Sequence, residues 1–102
     1  MLNHKSPGIH RYIFERICQI HDEILVHDRE YKELGKVPSE LFQRLFAKLP
    51  DEDREILDEY SSEFLKQLSR QDEVLYSRGL LDGIRLCYWV ERIGRGEEQS
   101  IL

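Results

Sequence analysis

The chain has 102 residues, of which 40% are apolar and 34% charged, and a net charge of −5. That length suits one domain with one modest core, leaves no room for two, and disfavours a deeply enclosed active site. The acidic balance disfavours proteins that grip nucleic acid or an anionic membrane through a basic face, and no apolar run is long enough to span a bilayer.

Residues 1–7 read as a loose arm punctuated by Pro7-Gly8, without the apolar core of a signal peptide, so the expected location is the cytoplasm. From Ile9 to Leu34 only the seam formed by Ile13, Ile17, Ile20, Ile24, Tyr31 and Leu34 recurs, and His27 fills its missing place. The alternating spacing of four and three predicts one continuous coiled-coil-like helix over 9–34, about 39 Å long, with Gly35 as its stop. Val37-Pro38 opens a second helix over 38–49, striped by Leu41, Phe42, Leu45, Phe46 and Leu49. Pro50 ends it and begins a third, whose first turn holds Asp51, Glu52 and Asp53 at the positive end of the helix dipole.

The third stripe runs through Leu57, Tyr60, Phe64, Leu68, Leu75, Leu86, Val90 and Ile93. The polar stretch at 69–73 contains no Pro or Gly. One long helix over 51–93 is therefore expected, with a kink near 69–72 as the alternative. Residues 94–102 read as a frayed tail. Nothing alternates with period two, so the expected fold is an all-α bundle of three helices, a single domain over 1–102 with disordered ends.

Residues 73–93 differ from the rest. Apolar side chains cover most of the helical girth there, so the segment needs cover on more than one side. Gly79 and Gly83 lie four apart, and each costs about 1 kcal/mol relative to Ala inside a helix, a cost that close approach of another helix would offset. A third helix that outruns the first leaves an apolar overhang, and an antiparallel two-fold dimer is its simplest cover. Tyr76, Gly79, Leu80, Gly83, Cys87 and Val90 are the expected interface. Arg78, Arg85 and Arg92 repeat at seven, with Asp82 between the first two and Trp89 on the same stripe. This stripe could dock another protein, with an Arg stacked on Trp89.

The run Glu73-Val74-Leu75-Tyr76-Ser77-Arg78-Gly79-Leu80-Leu81-Asp82-Gly83-Ile84-Arg85-Leu86, preceded by Leu49-Pro50-Asp51-Glu52-Asp53-Arg54, resembles a family of small uncharacterised helical proteins of Firmicutes and their phages. The resemblance covers about the last half of the chain and implies a fold, a bacterial setting and no activity. Leu45 to Tyr60 is also similar to the opening of the promoter-reading C-terminal domain of sigma factors. The turn and basic recognition helix that follow in that family have no counterpart after Ser61, so a transcription-associated role stands only as an alternative.

His10, His21 and Asp28 fall near one stripe of the first predicted helix and are the candidate ligands for a small metal- or ligand-binding bundle. Neither Glu-x-x-His nor His-Glu-x-x-His occurs, so solvated or hydrogen-bonded histidines are the plainer reading. Cys18 and Cys87 match no metal or redox spacing and read as small buried hydrophobes. No catalytic constellation or cofactor motif is present. The expected function is a non-enzymatic interaction or regulatory protein acting as a homodimer.

Overall fold

A computed structural model describes residues 1–96 of the chain. Three α-helices make up the fold, α1 (Gly8–Gln19), α2 (Arg29–Lys48) and α3 (Asp51–Gly94), and no strand occurs among the described residues. α3 carries 44 residues, about 66 Å at helical rise, and alone accounts for the longest dimension of 67 Å. It runs unbroken through Ser69–Glu73, so the kink is not taken. The radius of gyration is 20.3 Å, where a compact chain of this length has about 13 Å.

The first two helices divide differently from the expected 9–34 and 38–49. α1 ends at Gln19 and widens into a π-helical segment, Ile20–Ile24, followed by a 3₁₀ turn, Leu25–His27. Asp28 then starts a new helix: its backbone is extended and its carboxylate accepts the Tyr31 N–H at 2.7 Å. A short acidic side chain that bonds a backbone N–H two or three residues on competes with continuation of a helix, and here it wins. His27 sits in the break and is exposed, so it sets no seam register. Gly35 and Pro38, expected as stop and start, both lie inside α2. Gly35 has no left-handed φ, and Pro38 leaves the Leu34 carbonyl without its helical N–H partner on a stretch of helix exposed along its length.

The expected loose arm is folded. The Asn3 N–H donates to Ser6 Oγ, the Lys5 N–H to Asn3 Oδ1, and the Arg11 guanidinium clasps the His4 carbonyl from α1. Gly8 then takes a φ of +55°, which suits glycine where the arm turns into α1. Residues 97–102 of the expected tail lie outside the described residues.

α1 lies across the middle of α3, and their junction holds the one buried apolar side chain among the described residues, Ile13 at 5% exposure. α2 makes little contact with α3 beyond the two-residue connection Leu49-Pro50. Arg54 locks that corner. Its guanidinium donates to the Phe46 and Ala47 carbonyls at the C-terminus of α2, at 2.9 and 3.3 Å, the first of which also accepts the Leu49 N–H, and lies over the Phe46 ring.

Candidate interaction surface

The polar stretch of α3 is where the rest of the chain is tied on. Glu73 is buried, at 5% exposure, and fully engaged: Oε1 accepts the Leu2 N–H at 2.9 Å and Oε2 accepts from Arg70 at 3.0 Å. A buried carboxylate is tolerable only when paired and hydrogen-bonded in this way. One residue earlier, Asp72 Oδ2 meets His21 Nε2 at 2.7 Å, which pins the π-helical segment to α3. Between these ties, Ile17, Ile20, Leu25, Leu75 and Tyr76 border an apolar hollow of about 340 Å³. Burial pushes the Tyr76 hydroxyl above its ordinary pKa, its hydrogen bond with Tyr12 adds to the rise, and Arg16 opposes it.

Beyond this junction the described residues leave the C-terminal third of α3 largely uncovered. Leu81, Ile84, Leu86, Tyr88, Trp89, Val90 and Ile93 are exposed, Val90 at 68%. Tyr76, Leu80 and Gly83 are half-buried, while Gly79 and Cys87 are exposed. Cys87 is thus not the buried hydrophobe expected of it, and Cys18 is half-buried beside α3. A Cβ added at Gly79 or Gly83 would meet nothing within 4 Å, so no neighbour among the described residues uses the space these glycines open.

The arginine stripe is laid out along the same third. Arg85 faces Asp82 at 4.0 Å, a loose and exposed pair. The ring that Arg92 covers is that of Tyr88, at 5.3 Å, with a 2.6 Å bond to its hydroxyl; Trp89, expected as the stacking platform, is 41% exposed beside it. Arg78 borders a shallow hollow with Arg70, Val74, Ser77 and Leu81.

A second open face was not foreseen as an interface. Leu34, Val37, Leu41, Phe42 and Leu45 of α2 are exposed, as are Ile56, Tyr60, Phe64 and Leu65 of α3. Phe42 stacks on Phe46 and Tyr60 on Phe64, each within its own helix. The stripes were visible in sequence. What hid their exposure is that stripes are ordinarily spent on a chain's own core, and here α2 and α3 do not close on each other.

The metal candidates are not brought together. His10 is exposed on α1, His21 is engaged by Asp72, and Asp28 caps α2. Among the described residues, no group of three or more His, Cys, Asp or Glu side chains is disposed to hold a metal ion. The segment similar to sigma factors continues as unbroken helix past Tyr60, without the turn that a groove-reading helix would need. No described helix is long and apolar enough to cross a membrane. Comparison with models of protein families, with curated proteins and with solved structures gave no match.

Proposed function

We propose that the chain is a non-enzymatic helical interaction protein whose working unit in the cytoplasm is a homodimer. The observation that carries this reading is the amount of surface left open. The chain exposes 8857 Å², where a compact monomer of 12.2 kDa exposes about 6,100 Å². The surplus of roughly 2,800 Å² per chain exceeds the ~800 Å² per partner of an ordinary stable interface and the ~1,000–2,500 Å² per partner of obligate ones. Among the described residues a single apolar side chain, Ile13, is fully buried, a sparse core for a lone chain of this length. Association would cover part of that open surface.

Acidic groups are spread along exposed helix faces, which supports solvation and not general acid–base chemistry. Light scattering behind size exclusion tests the reading. The expected mass at micromolar concentration is twice 12.2 kDa. A folded monomer there would overturn it.

A further inference from the structure

We propose that the dimer forms through the C-terminal third of α3, paired antiparallel with the same third of a second copy, with the two-fold axis passing between Leu86 and Cys87. This rests on the homodimer reading and adds where the copies meet and in what register.

The first argument is continuity. At 3.6 residues per turn, Gly79, Gly83, Leu86, Val90 and Ile93 lie on the side of α3 that also carries Asp72 and Tyr76. That side is covered where α1 crosses it, with His21 on Asp72 and Tyr12 beside Tyr76. From the glycines onward no described residue fills the notch, and Leu86, Val90 and Ile93 are exposed. A helix laid there would extend the existing layer rather than start a new one.

The second argument is length. The bare stretch runs from about residue 79 to residue 94, the end of α3. An antiparallel copy covers it fully, without displacing α1, only if residue 79 of one chain meets residue 94 of the other. That register places the axis midway, between 86 and 87.

The third argument is shape, and it selects a second copy over an unrelated helix. In this register Gly83 of one chain faces Val90 of the other, and Gly79 faces the Ile93-Gly94 end. The notch left by each chain's glycines receives the branched side chain that the same chain presents seven to fourteen positions away, and two-fold symmetry repeats the fit on both sides. With glycine opposite Val or Ile, the axes can approach at the close end of the ~8–10 Å range of helix pairs. The paired stretch of 16 residues runs for about 24 Å along each helix. The exposed stripes of α2 and the first half of α3 remain outside it.

The register brings the two Cys87 side chains together beside the axis, within the Cα separation of about 4.4–6.8 Å that a disulfide requires. Cys18 is the only other cysteine, so Cys18→Ser leaves one thiol per chain. The full-length Cys18→Ser chain, treated with copper–phenanthroline as oxidant, is expected to give a covalent dimer on non-reducing electrophoresis within minutes. Gly83→Leu and Val90→Asp should each reduce that yield at least tenfold. Leu41→Asp on the α2 face should not change it. A Cβ at Gly83 meets nothing among the described residues, so loss of pairing in Gly83→Leu with helical circular dichroism retained reports on the contact between copies. A dimer by light scattering that does not cross-link and survives Val90→Asp would overturn this register and leave the homodimer reading intact. A dimer lost in Leu41→Asp alone would place the interface on α2. A folded monomer would overturn both readings.

Discussion

Two side chains do structural work out of proportion to their number. Glu73 joins the start of the chain to the middle of α3, and a hydrogen bond to a buried charge contributes about 1.5–3 kcal/mol. Glu73→Leu is expected to cost about that amount in urea denaturation. It should also release residues 1–7, seen as faster amide exchange there than in α1. Arg54 acts at the opposite corner by satisfying the last carbonyls of α2. Arg54→Ala is expected to destabilise by about 1–2 kcal/mol. Arg54→Lys should recover little of that, because an ammonium cannot bridge two carbonyls and lie flat over Phe46 as the guanidinium fork does. Neither role was legible in the sequence. Glu73 closes the polar run at 69–73, and its burial depends on an arm whose folding no local pattern announces.

At the level of elements, the long helix was readable because everything local agreed on it: Pro50 at its cap, three acids in its first turn and no breaker before Gly79. The first two helices were misdivided because single-residue punctuation was weighed above capping. Gly35 and Pro38 are strong breakers on average. Yet Asp28, followed by Glu30 and Tyr31, is a complete start signal, and once α2 begins there it runs through both. Asp28→Ala should cost about 1 kcal/mol by thermal or urea unfolding, whereas Asp28→Asn, which keeps an acceptor for the Tyr31 N–H, should cost only a few tenths. Equal losses in the two variants would show that the cap does not hold the boundary. The excess of apolar residues at 74–93 was also legible. The exposure of α2 was not, since a stripe reports that a face wants cover without reporting whether its own chain supplies it.

For the molecule as a whole, stability and assembly are one quantity. If the working unit is a dimer, its melting temperature depends on concentration, because unfolding releases two chains. Each tenfold increase in protein adds about 1.4 kcal/mol to the stability of the dimer. With the usual unfolding entropy per residue, that raises the midpoint by about 3 °C. A midpoint independent of concentration over two decades would mean that the chain folds alone, despite its sparse core.

The Leu2–Glu73 hydrogen bond has a practical reach beyond stability. It fixes residue 2 halfway along the rod, about 30 Å from Ile93. Any tag or fluorophore fused ahead of Met1 would therefore emerge at mid-length, beside the crossing of α1. In the paired register, two such labels would stand about 40 Å apart along the axis, which makes the bond a built-in molecular ruler.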